Sequence, residues 1–369
     1  NVNTGLNLYN GYDVMFDTQK QVIWLRPNGG QSTVNLQSVT TTGDQSYQQN
    51  AVLSGSYATA SGDFSVSGVT DLAADTTINA GSGAITFSGT VDGPHALTVN
   101  STGATHFVRG VGQQIALTRL TTDAGGSTST AGVTTQDGQT YGDTVTLNGA
   151  YQVNDGEITV AGAATLAGQT SISTTGGDIT FVSTVDATPG QGFTLRLVTD
   201  GGHTQLSGAV GAVNPLGGIG MANTAEHTVA TVTAAGTVAV NGSLGYAGSS
   251  GLFIGDSVTA DFSHGGTITD FTTSGVVFEG SSTNSTISNF TISDNVYDGI
   301  QIAAAAGSVL YDFTGTQISD NTIYGNSAFG IETLAPVSGL TISGNTIGKQ
   351  GTSNPWGYVS DGANAHGVV

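Results

Sequence analysis

The sequence predicts an all-β chain, a parallel β-helix of short strands and tight turns. Three observations carry that prediction. Helix formers are scarce and no apolar pattern of period 3.6 persists, whereas short segments such as Ala84-Ile85-Thr86-Phe87-Ser88 and Glu157-Ile158-Thr159-Val160 alternate apolar with small polar residues. Gly makes up 57 of the 369 residues and punctuates these segments. The chain also repeats itself, at 94 residues in its middle and at 24 near its end.

Taken in order, residues 1–36 stand apart. Tyr12–Asp17 and Gln21–Leu25 read as two strands round a polar turn, and Pro27-Asn28-Gly29-Gly30 breaks into the repeats. This is a cap or the tail of a preceding domain. Residues 37–262 hold two long repeats and part of a third. Val39-Thr40-Thr41 returns as Val133-Thr134-Thr135, Gln45-Ser46-Tyr47 as Gln139-Thr140-Tyr141, and Leu53 to Tyr57 as Leu147 to Tyr151. In residues 263–369, Ile318-Ser319-Asp320-Asn321-Thr322-Ile323 returns 24 residues later as Ile342-Ser343-Gly344-Asn345-Thr346-Ile347, with Ile287 to Ile292 a looser copy. Period-2 alternation turns Ile287, Ile292, Ile318, Ile323, Ile342 and Ile347 inward. Asn321 and Asn345 fall at bends, where stacked amides can bond up the coils. At about 22 residues per coil the chain makes about 17 coils, and at about 4.8 Å per coil a rod about 80 Å long.

Composition narrows the function. Six Lys and Arg against 26 Asp and Glu give a net charge of −20, which argues against nucleic-acid binding and against anionic membrane surfaces. No run approaches a membrane helix; the longest small-apolar stretch is Ala303–Ala306. The absence of cysteine removes disulfides, thiolate metal sites and a Cys nucleophile.

The Val39-Thr40-Thr41-Thr42-Gly43, Ile85 to Gly93 and Leu120 to Gly126 segments resemble repeats of large bacterial exoproteins of the filamentous-haemagglutinin type, over roughly residues 37–260. Residues 263–369 resemble right-handed parallel β-helix coils of the pectate-lyase-like superfamily. Together these resemblances imply a secreted or surface-anchored stalk, adhesin or filament subunit. The Gly11 to Pro27 stretch is similar to the closing strands of a retropepsin-like protease domain, but Asp-Thr-Gly and Asp-Ser-Gly occur nowhere in the chain.

A β-helix also serves enzymes. The lyase chemistry that the superfamily resemblance implies needs a cation beside bound Ca²⁺, and after Arg196 the sole basic side chain is Lys349. A glycosidase needs two carboxylates on one groove; Asp294, Asp298, Asp320 and Glu332 are the candidates. The bland reading makes Asp294-Asn295 and Asp320-Asn321 turn residues whose side chains bond their own backbone. Asp294, Asp298 and Asp320 are also the candidate ligands of a structural Ca²⁺, and no other cofactor is expected. The six His are scattered, without a zinc-like pair. Tyr47, Tyr57, Tyr141 and Tyr151 recur at equivalent places; exposed, they form an aromatic contact ladder, and buried, they close strands in the core.

The expected role is therefore a non-enzymatic extracellular solenoid acting as stalk, adhesin or filament subunit. The alternatives are a carbohydrate-active β-helix enzyme and a glycan-binding module. The last residues, Ala365 to Val369, read as the start of another coil, so end-to-end self-association or a continuing chain is the expected partner arrangement.

Overall fold

A computed structural model describes residues 12–17, 22–27, 33–223, 230–244, 250–302 and 310–348, the first two segments as backbone only. The Asn28 to Gly30 break, Ala303–Ala306, Lys349, His227, His366 and the expected C-terminal coil start lie outside these residues. The chain forms a parallel β-helix divided into two compact units, residues 1–164 and 165–369, and each is described by itself.

In the first unit, Tyr12–Asp17 and Val22–Pro27 pair antiparallel, with Tyr12 opposite Pro27. The second of these strands then adds in parallel to Gln45–Tyr47. From there the chain winds with three short strands per turn. One face stacks Val34, Ala51, Thr70, Val91, Val111, Val133 and Tyr151. A second stacks Val39, Tyr57, Ile78, Val99, Thr122, Tyr141 and Val160. A third stacks Tyr47, Val66, Phe87, Phe107, Thr130 and Leu147. Successive members of the first face lie 17, 19, 21, 20, 22 and 18 residues apart. These coils are mostly shorter than the sequence estimate, because their turns hold only a few residues. The interior is narrow, and one row of side chains per face fills it. Phe64, Phe87 and Phe107 stack along the axis, with Phe87 and Phe107 parallel at 5.4 Å.

The 94-residue repeat is not a whole number of coils. Tyr47 lies on the third face and Tyr141 on the second; Tyr57 lies on the second and Tyr151 on the first. Fourteen face positions separate equivalent residues, which is four coils and two faces. The second copy is thus turned by one face relative to the first, while its local hydrogen bonding is kept.

In the second unit, the 24-residue repeat is one coil. Leu252, Val276, Ile300 and Ile331 stack on one face, and Ile287, Ile318 and Ile342 on another. Val240, Ile268, Ile292, Ile323 and Ile347 stack on the third. The 31-residue steps, such as Ile300 to Ile331, include residues 303–309. Gly275, Gly299 and Gly330 precede the strands of the first face. A Cβ on Gly299 would lie 2.4 Å from Ile323 Cγ2, and one on Gly330 2.4 Å from Ile347 Cγ2. Glycine is required there because the backbone passes directly over the isoleucine row.

Candidate functional site

The carboxyl and amide groups of both units are mostly engaged with the next coil. Asp63 Oδ1 accepts the Ala84 amide at 2.7 Å, and Asp92 Oδ1 accepts those of Gln114 and Ile115 at 2.9 and 3.2 Å. Asp186 repeats the Asp92 clasp on Val213 and Asn214, and Asp256 Oδ1 accepts Ser281 N at 2.7 Å. Much of the acidic coat therefore caps backbone donors one turn further on, where an unpaired N–H would otherwise be orphaned.

The predicted isoleucine–asparagine ladder is present. Asn321 Oδ1 accepts the Phe290 amide at 3.0 Å, and its Nδ2 donates to Ile287 O and Asn345 Oδ1, both at 2.9 Å. Asn345 Nδ2 donates to Ile318 O at 2.8 Å. A second ladder, which the sequence reading did not single out, joins Phe271 N, Asn295 and Asn326. Its asparagines step by 31 residues, whereas Asn321 and Asn345 step by 24, so the 24-residue repeat does not reveal it.

The three calcium candidates separate. Asp294 and Asp320 occupy left-handed corners, with φ 60° and 57°, a region that Asn, Asp and Gly tolerate. Their carboxylates lie over Gly325 and Gly344 of the following coil, where a Cβ would come within 2.4 and 2.3 Å. Asn295 and Asn321, which follow these corners, bond across coils, so for these two the expectation of turn side chains bonding their own backbone is corrected. Asp298 is 1% exposed and elsewhere. Among the described residues no three His, Cys, Asp or Glu side chains converge.

Of the four carboxylates considered for catalysis, Asp298 and Glu332 come together. Val277, Gln301 and Glu332 are register partners on successive coils. Asp298 lies beside them, accepting from Ser274 Oγ at 3.3 Å, Gln301 Nε2 at 3.2 Å and Phe329 N at 3.0 Å. Burial raises the Glu332 carboxyl above its ordinary range, and the Asp298 charge and a hydrogen bond with Asp298 add to it. Ser274 and Gln301 went unnoticed in the sequence, where nothing distinguishes them from other turn residues.

The four tyrosines are interior, so the contact-ladder alternative is corrected to the core one. All are 3% exposed or less. Tyr47 OH donates to Gln45 Oε1 at 3.1 Å, and Gln45 Nε2 donates to Val39 O and Ala58 O. Tyr141 and Gln139 repeat this on Val133 O and Gln152 O. Tyr57 OH donates to Leu36 O and accepts from Ser54 N, as Tyr151 OH does with Thr130 O and Asn148 N. Burial raises all four phenols, that of Tyr57 to about 12. The surface instead presents Val296, Tyr297, Leu310, Phe329 and Leu334.

A second buried carboxylate, Asp143, is 4% exposed and accepts from Thr128 Oγ1 at 3.1 Å and Thr122 Oγ1 at 3.4 Å. Burial raises it, and the two hydroxyls partly oppose the shift.

No helix among the described residues is long and apolar enough to cross a membrane. No curated protein and no solved structure matches the chain. The model of the NosD family, described as periplasmic copper-binding protein, matches residues 213–356. Copper favours imidazole, thiolate and thioether donors. Within that segment the chain offers His227, His264 and Met221; Met221 is buried and His264 exposed on its own. The described residues do not fit a copper centre. The match falls on the stretch that carries the 24-residue coils and agrees with the parallel β-helix expected there; it lends no support to the haemagglutinin-type resemblance, and the 94-residue repeats lie outside it.

Proposed function

We propose that the chain is a non-catalytic structural solenoid working outside the cytoplasm, a stalk or scaffold that holds its loops out as contact surface. The observation that carries this reading is the use of the polar side chains. Asp63, Asp92, Asp256, Asn295, Asn321 and Gln45 all bond backbone of adjoining coils or strands. Groups held this way stiffen a stack and are not free to attack a substrate. The periplasmic description of the NosD family supports an extracytoplasmic setting. An adhesive role, in the manner of the exoproteins the repeats resemble, would use the exposed Val296, Tyr297 and Phe329. End-to-end self-association is the expected assembly.

The test is incubation of the full chain with acidic and neutral polysaccharides, reading reducing ends and unsaturated uronates. No turnover is expected; turnover that Asp298→Asn abolishes overturns the reading. Equilibrium dialysis against copper separates the scaffold from a metal carrier. Stoichiometric, chelator-resistant copper would favour the carrier.

A further inference from the structure

Tyr297 and Phe329 lie on consecutive coils of the second unit, on loops that are built inside out. Asn295 and Asp298 take the inward places, each 1% exposed, while Val296 and Tyr297 between them are 52% and 56% exposed. On the next coil Asn326 is buried and Phe329 is 36% exposed. Backbone bonds fix this arrangement from both sides. Val296 N donates to Phe271 O at 2.8 Å and Tyr297 N to Thr273 O at 3.3 Å, one coil earlier. Ala328 N donates to Tyr297 O at 3.1 Å, Gly299 N to Phe329 O at 2.8 Å, and Phe329 N to Asp298 Oδ1 at 3.0 Å. The polar side chains serve the fold and the apolar ones are held out to solvent.

The strand after Phe329 extends this surface. Ile331–Thr333 buries Ile331, which leaves Glu332 on the outer face in register with Gln301. Leu334, past its far end, is 43% exposed. Phe329 to Leu334 spans five residues, about 16 Å of extended chain.

Charge limits what covers the strip. Asp294 is exposed ahead of Val296, Glu332 lies between the apolar ends, and the sequence has no Lys or Arg between Arg196 and Lys349. Phosphate backbones, anionic lipid and uronate polymers are repelled. A cation gains twice, from the carboxylates and from the ring faces of Tyr297 and Phe329. Exposed apolar side chains rimmed by polar ones mark protein contacts, and aromatic residues are enriched there.

We propose that this strip docks an extended basic segment of a partner protein, in which Arg or Lys alternates with apolar residues. The cation lies beside Glu332 and against the two rings, and its apolar neighbours cover Val296 and Leu334. Such docking presupposes the scaffold reading above, in which these side chains are contact surface. Loops already fixed by the coils lose little freedom on binding.

Fluorescence anisotropy of the full chain with three labelled peptides tests this: Arg alternating with Leu, Arg alternating with Ser, and Glu alternating with Leu. The Arg–Leu peptide should bind about tenfold more tightly than either control, and salt should weaken it. Tyr297→Ser combined with Phe329→Ser should lower its affinity about tenfold or more. Tyr297→Lys, at the more exposed ring, should do the same by charge while leaving the urea midpoint unchanged. Equal binding of the Arg–Ser peptide, variants that bind like wild type, or capture of a neutral hexasaccharide in place of the peptide would overturn the docking site. Polysaccharide turnover, read separately, would overturn the scaffold reading instead.

Discussion

Asn321→Ala breaks the ladder at its centre. Asn321 is 1% exposed, and it serves the Phe290 amide with Oδ1 and the Ile287 carbonyl with Nδ2. Phe290 and Ile287 are themselves buried, at 1% and 0% exposure. Truncation therefore orphans one donor and one acceptor, and also frees Asn345 Oδ1 of one of its two bonds. Each orphaned buried group costs about 1–3 kcal/mol, so the loss should be about 3 kcal/mol. The assay is urea unfolding followed by far-UV circular dichroism, with exchange of the Phe290 amide as the local probe. Asn321→Asp sharpens the test. It keeps the acceptor for Phe290 but sets a carboxylate against the Ile287 and Asn345 oxygens, so it should be tolerated better in acid than at neutral pH. A loss below about 1 kcal/mol with Phe290 exchange unchanged would refute the ladder as a stabilising element.

Other expectations follow from the same bonds. Tyr57→Phe and Tyr151→Phe each remove one buried hydroxyl, and that of Tyr151 is bonded to Thr130 Oγ1 at 3.1 Å as well, so each should cost about 1–2 kcal/mol with Tyr151→Phe the more costly; a larger loss for Tyr57→Phe in denaturant melts would contradict the bonding described. Thr70 lies in an otherwise apolar row, fully buried, and its hydroxyl has no hydrogen-bond partner. Thr70→Val should therefore stabilise the chain by about 1 kcal/mol, and a destabilised variant would contradict the packing described. Asp143, raised by burial, contributes stability in acid that is lost as pH rises through its folded value. Asp143→Asn should flatten that slope in stability measured against pH; an unaltered slope would assign it to another group.

What the sequence made legible was periodicity. The Ile287, Ile318 and Ile342 row could be read because one coil equals one repeat there, so equal spacing means equal position. The 94-residue repeat misleads by the same logic. Gln45-Ser46-Tyr47 and Gln139-Thr140-Tyr141 recur because each pair closes the same local bonds, not because they stack in one row. Whether Tyr47 faced in or out was open to sequence because alternation alone leaves a tyrosine amphipathic; its neighbour Gln45, buried and bonded to Val39 and Ala58 carbonyls, decides the matter. The Asp298 and Glu332 pair was the least legible. Their meeting depends on a 31-residue step beside a 24-residue one, and no sequence pattern marks which coil is longer.

Coil register determines which polar groups are engaged between coils. The natural absence of cysteine allows a clean disulfide test. Thr121 and Thr140 are register partners on the second face of the first unit, while Ser129 sits on the third. Adjacent parallel strands lie about 4.8 Å apart, within disulfide reach. Thr121→Cys with Thr140→Cys should cross-link fully under mild oxidation, and Ser129→Cys with Thr140→Cys should remain reduced. Cross-linking of the second pair in preference to the first would place the repeats a whole number of coils apart and contradict the fold as described.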